Sequence, residues 1–206
     1  MAKWTPAKAD TLEALASEIL HNYARGRVLV AVDGRDRAGT ALFADDLAGA
    51  FHALGSRVVR ASIDQFLRPV SERSAGSVDS TEDLYGDSFD YETFRRVLAH
   101  PFRSGELQER TRGAEQEQEQ EREQEQEQEA EHSEPIPADA ILLVDGLFLN
   151  RRELAGLWNY SIWLDSAPGL AAHELYEAEA RPRAAAVAII DNTDVEHPRR
   201  IFADAC

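Results

Sequence analysis

The stretch spanning residues 27–43, RVLVAVDGRDRAGTALF, constrains the fold more than any other part of the chain. Five consecutive apolar residues, 28–32, stop at Asp33-Gly34; a loop with a second glycine follows, and apolar residues then recur at helical spacing. An unbroken apolar run of this kind suits a strand covered on both faces of a parallel sheet. The order is therefore strand, glycine loop, helix. The spacing Gly34-x-x-x-x-Gly39 fits a loop whose backbone N–H groups, together with the helix N-terminus, hold a polyphosphate. Two positions depart from that pattern. Thr40 stands where G-x-x-x-x-G-K-[ST] requires Lys, and Ala41 where it requires Ser or Thr.

The rest of the chain supplies neighbours for this strand. Residues 7–24 carry Ala7, Leu12, Leu15, Ala16, Ile19 and Leu20 at helical spacing, predicting an amphipathic helix ahead of it. After Thr40, Leu42, Phe43, Leu47, Ala50, Phe51 and Leu54 repeat every three or four residues, and Gly55 marks a stop. Further strands are predicted over 57–63, 138–149, 160–165 and 184–191. Helices are predicted over 91–100, 153–159 and 167–180, with Pro101 and Pro182 as terminators. Five strands separated by helical segments predict an α/β fold, a doubly wound and mostly parallel sheet with helices on both faces. Ligands of such sheets bind beyond the carboxyl ends of the strands. Asp33-Gly34, Asp64, Asp145 and Asn192 all fall at such ends. Residues 64–91 read as an irregular segment that keeps Phe66, Tyr85, Phe89 and Tyr91; loops of this length in compact domains are usually functional.

The formal charge of −16 narrows the partners. Residues 115–131 alone carry nine Glu against one Arg, and the remaining chain is only mildly acidic. No basic stripe exists, which argues against nucleic acid. The Glu/Gln tract, residues 113–134, has no apolar face to bury, and its like charges recur at i and i+4. It reads as a low-complexity insertion, disordered or a solvated helix, in a single domain, residues 1–206. No apolar run approaches the roughly 20 residues of a membrane span, and the one cysteine is Cys206. The expectation is a soluble, cytoplasmic protein of unknown oligomeric state.

Taken in order, VAVDGRDRAGTALFADDLA, RASIDQFLRP, YGDSFDYETFRRVL, ILLVDGLFL and LYEAEARPRAAAVAIIDNTD resemble the uridine kinase-like branch of the P-loop kinases. That family transfers the γ-phosphoryl group of ATP, with Mg²⁺, to a hydroxyl of a nucleoside or similar small molecule. The resemblance implies that Gly34, Arg35, Asp36, Arg37, Ala38, Gly39, Thr40 and Ala41 form the phosphate loop. It implies that Asp64 accepts the proton of the acceptor hydroxyl. Phe66, Arg68, Phe89, Asp90 and Tyr91 would line the acceptor pocket, Asp145 would assist Mg²⁺, and Asn192 would lie near the adenine. Phosphoryl transfer is mostly positioning and charge neutralisation, and a carboxylate within reach of a hydroxyl is a general base.

The sequence also departs from the family. FADDLA follows Gly39 without a gap, so the loop is full length with two substitutions rather than shifted. Thr40 brings no charge, and its hydroxyl, one residue early on a helix, points about 100° away from the required direction. Arg37 is a candidate to restore the lost charge. Residues 166–175 contain no Arg or Lys, where the family has a longer arginine-bearing lid. The Glu/Gln tract replaces a hairpin that contributes to the family's acceptor pocket. Three functions therefore stay open: a nucleoside-type kinase with impaired turnover, a pseudokinase that at most binds nucleotide or nucleoside, and an interaction protein using the acidic tract.

Overall fold

The computed structural model describes residues 7–23, 25–35, 38–69, 85–86, 88–110, 133–166 and 171–202. Strand β1 (Val28–Gly34) is buried along its whole length and occupies the middle of a six-stranded sheet. Helix α1 (Lys8–Asn22) precedes it and α2 (Thr40–Ala53) follows the glycine loop. The chain then passes to β2 (Val58–Ser62), to a two-stranded hairpin of β3 (Gln108–Arg110) and β4 (Ser133–Pro135), and back to β5 (Ile141–Gly146). It continues through β6 (Tyr160–Asp165), α4 (Ala171–Ala180), α5 (Pro182–Ala185), β7 (Ala188–Asp191) and β8 (Arg199–Ile201). The sheet order is β2-β5-β1-β6-β7-β8, parallel except for the last pair.

Side chains of a strand alternate between faces, and β1 uses both. Val28, Val30 and Val32 join Leu15 and Ile19 of α1 and Phe43, Leu47 and Phe51 of α2 in one core. Leu29 and Ala31 face the other core, with Leu142, Val144, Trp163, Phe94, Phe102, Phe148 and Tyr176. Each such large side chain, fully buried, contributes roughly 1.5–3 kcal/mol. That two-sided burial explains why the run 28–32 has no polar interruption. Register then aligns the strand ends: Asp33 lies beside Gly146 and Trp163, and Asp145 beside Val32 and Ser62. Because β5 and β6 flank β1 while the chain reaches β5 only after β2, the order reverses at β1, and the crevice there is the expected ligand site.

Several boundaries differ from the sequence expectations. The sheet has six strands, not five, because the short antiparallel β8 adds to its edge. Pro101 does not end the helix begun at Tyr91. This helix, α3 (residues 91–104), runs Tyr91–Phe94, Arg95–Ala99 as a π-helical turn, then His100–Ser104. Proline removes one helical N–H, and it sits at the first positions of the segment that follows the wide turn, where that donor is dispensable. The helix expected over 153–159 is only a 3₁₀ turn, Arg152–Leu154. The last parallel strand begins at Ala188, since Pro182–Ala185 forms α5. Ser133 and Glu134, counted in the Glu/Gln tract, belong to β4, so a short hairpin stands at the base of the insertion. Residues 111–132 lie outside the described residues. No described helix is long and apolar enough to cross a membrane.

Candidate functional site

Two glycines shape the loop after β1. A Cβ on Gly34 would lie 2.9 Å from the Ala38 Cβ and 3.2 Å from the Leu164 carbonyl, so only glycine lets the loop fold back against β6. Gly39 has φ +74° and caps α2, a conformation glycine adopts without penalty. Asn192, at the end of β7, donates from Nδ2 to the Ala38 carbonyl at 2.8 Å and is buried. The structure thus sets Asn192 against the loop backbone. The first N–H groups of α2 have no partner within the helix, and its first turn carries no acid. Asp36 and Arg37 lie outside the described residues.

Beneath the loop sits a polar hub that the sequence reading did not single out. Asp33 is fully buried. Its Oδ1 accepts from the Gly34 N–H at 2.9 Å; its Oδ2 accepts from the Asn150 N–H at 3.0 Å, from Asn150 Nδ2 at 2.8 Å and from the Tyr176 hydroxyl. Burial pushes the Asp33 carboxyl up to about 6 against those donors. The hub ties β1 to α4 and to the segment after β5. A signal was available: an acid directly after five apolar residues, followed by glycine, cannot be left unpartnered in a buried strand.

At the end of β5, Asp145 is buried and its Oδ1 accepts from Arg60 Nη2 at 2.9 Å. Arg60, from β2, also holds Asp45 of α2 and the Leu143 carbonyl, and its Nη2 lies 3.5 Å from the Ala41 carbonyl. This arginine was legible as an oddity, a cation amid the apolar residues of VVRASI. The donor set does not suit Mg²⁺ at that position, because the carboxylate expected to assist the ion is already paired. Among the described residues no cluster of three or more His, Cys, Asp or Glu is placed to hold a metal.

On the acceptor side, Ser62 Oγ accepts from the Asp64 N–H at 3.3 Å and starts the 3₁₀ turn Ile63–Phe66. Asp64 is exposed, yet its carboxyl is raised above the usual range, first by the protein that displaces water around it and then by the charge of Asp145. Residues 66–68 and 88–90 pair antiparallel: the Arg68 N–H donates to the Ser88 carbonyl and the Asp90 N–H to the Phe66 carbonyl, each at 2.8 Å. This bridge brings Phe66, Arg68, Phe89, Asp90 and Tyr91 into one place, although 19 residues of sequence separate the two segments. Phe89 and Tyr91 are largely buried, packed at 6.0 Å, with Phe89 also against Phe148. Asp90 caps α3, its Oδ1 accepting from the Thr93 N–H at 2.9 Å, and that bond holds its carboxyl below the usual range.

No protein-family profile matches the sequence, and no curated protein does. Solved structures do. A possible uridine kinase from Bacillus stearothermophilus aligns with a TM-score of 0.68 and 18% identity, over 88% of this chain and 98% of that one. A putative fructose transport system kinase from Silicibacter sp. TM1040 aligns at 0.52 and 20% identity, over 85% and 94%. The fold is that of the uridine kinase-like P-loop kinases.

Within this fold, Arg35 and Arg183 are engaged by protein oxygens. Arg35 Nε and Nη2 grip both oxygens of Glu177 at 2.5 and 2.9 Å, and Nη1 reaches the Ser166 carbonyl at 3.1 Å. Arg183, in α5, pairs with Asp165 at 3.0 Å. A cavity of about 300 Å³ lies elsewhere, among Tyr85, Arg151, Arg152, Glu153, Glu179 and Ala180, and none of these was a predicted site residue. Arg151 stacks over the Tyr85 and Tyr91 rings at 4.4 and 5.3 Å, so this cavity backs onto the aromatic cluster rather than onto the loop.

Proposed function

We propose that this chain is a uridine kinase-like protein with an acceptor half that still binds a nucleoside-like small molecule and a donor half that no longer supports efficient phosphoryl transfer. The observation that carries the reading is the state of the cations at the loop. Thr40 replaces the phosphate-binding lysine, and Arg35 and Arg60 are both engaged by carboxylates. A preorganised charge partner of the transferred group is worth about 10²–10³-fold in rate, and losses among groups that act as a unit do not simply multiply.

The acceptor half argues for a second reading, a kinase that still turns over. Asp64 stands in the turn just after β2, exposed, with its carboxyl raised by the protein around it and by Asp145, and a carboxylate within reach of a hydroxyl can act as a general base. In this second reading its role is to receive the acceptor hydroxyl's proton, and in both readings Phe66, Phe89 and Tyr91 supply an apolar wall. The fold shared with two kinases, a possible uridine kinase among them, supports phosphoryl transfer as the reaction class of both readings.

Coupled ADP release over a nucleoside panel, with thermal shift on the same panel, separates them. The proposal expects a nucleoside-dependent rise in Tm with ADP release at background. Rapid nucleoside-dependent release that disappears in Asp64→Asn would establish the active kinase instead.

A further inference from the structure

The guanidinium of Arg60 spans the same two elements that a divalent cation joins in a phosphate-transfer site, the first turn of α2 and the end of the acidic strand β5. Nη2 lies 2.9 Å from Asp145 Oδ1 and 2.9 Å from Asp45 Oδ1, with the Ala41 carbonyl at 3.5 Å. Nε lies 3.0 Å from Asp45 Oδ1. Nη1 is held by the Leu143 carbonyl at 2.9 Å and the Ala61 carbonyl at 3.3 Å. An arginine has five N–H donors and no acceptor, and here every one of its nitrogens is directed at protein oxygen.

We propose that Arg60 is a built-in replacement for the divalent cation, closing this site to Mg²⁺ so that a phosphate-bearing ligand would enter without metal. The inference rests on reading the site as a P-loop kinase's, and concerns its metal alone.

Three observations support it. Ala41, the residue lacking the metal-binding hydroxyl, is also the residue whose carbonyl Arg60 approaches. Asp145 keeps only 5% of its side-chain surface in solvent, whereas Mg²⁺ holds several waters in a near-octahedral shell and needs room for them. A metal on Asp145 Oδ1 would also have to displace Arg60, and separating this part-buried ion pair leaves the buried Asp145 charge uncompensated. With its donors engaged, Arg60 neutralises Asp145 as a metal would but offers phosphate oxygens nothing. It stands in for the ion structurally and not catalytically.

Mn²⁺ titration of the full chain, followed by electron paramagnetic resonance without nucleotide, tests this. Wild type and Asp145→Asn should bind Mn²⁺ identically, since any ions on the Glu/Gln tract are common to both. Arg60→Ala should gain one site at least about tenfold tighter than anything in wild type, and Mn²⁺ should raise the Tm of that variant but not of wild type. A Mn²⁺ site in wild type that Asp145→Asn removes overturns the proposal, and that comparison stands even if Arg60→Ala does not fold. Because no nucleotide or nucleoside is present, the result is independent of whether the acceptor half binds its ligand.

Discussion

At the loop end of the site, the described polar side chains satisfy one another: Asn192 on Ala38, Arg35 on Glu177, Arg60 on Asp145, and four donors on Asp33. At the other end, Asp64 stands exposed with its carboxyl biased toward the protonated form, beside an aromatic wall built from two separate stretches of chain. A polar group already paired within the protein has little to gain from a ligand, because binding must first break the existing bond. In the proposed function this contrast is the difference between a half that keeps the chemistry of a site and a half whose polar groups serve structure.

The largest test rebuilds the silent half. Thr40→Lys combined with Ala41→Thr and with Arg60→Ala, which reopens the metal position, should raise nucleoside-dependent ADP release about 10²-fold, and Asp64→Asn added to the three should return it to background. No gain would show that the acceptor half is silent as well.

The next test probes the hub beneath the loop by pH. Asp33 binds its proton more tightly folded, at about 6, than unfolded, at 3.8. Its contribution to stability is therefore fully present below the unfolded value and lost as pH rises through the folded one. The loss amounts to about 3 kcal/mol. Urea melts at pH 4 and pH 7.5 should show it, and Asp33→Asn, which does not titrate, should lack that part of the slope.

Smaller effects localise the two halves. Asn192→Ala should lower stability by about 1–2 kcal/mol, with faster amide hydrogen exchange at Gly39 and no change at Ser88 or Phe89. Asp90→Ala removes a helix cap and should cost about 1 kcal/mol in a urea melt, with the loop amides unaffected. Exchange that spreads across both halves in either variant would erase the distinction between them.

Much of this architecture is legible without coordinates. The run 28–32, the glycine spacing and the acids at strand ends are local patterns, and local patterns follow from burial and backbone sterics. The parallel sheet followed from them. What escaped is of two kinds. β8 is three residues long with half its surface wet, and its apolar signal is too weak to distinguish from a turn. The pairings Arg60–Asp145 and Asp33–Tyr176 join residues 85 and 143 positions apart, and only the assembled sheet brings them together. The residues at 66–68 and 88–91, expected to line an acceptor pocket, lie in two separate stretches of the sequence resemblance, and their mutual geometry comes from an antiparallel bridge that no periodicity announces.

The hairpin of β3 and β4 has a consequence for how this molecule changes over generations. Gln108 faces Pro135 and Arg110 faces Ser133, so the repetitive Glu/Gln run leaves and re-enters the domain through a single doorway. The entropy of closing a loop grows only logarithmically with its length, about 0.6 kcal/mol per doubling. Changes that lengthen or shorten the sequence between Arg110 and Ser133 therefore add little closure entropy to the pairing of β3 and β4, while each Glu gained or lost shifts the chain's net charge.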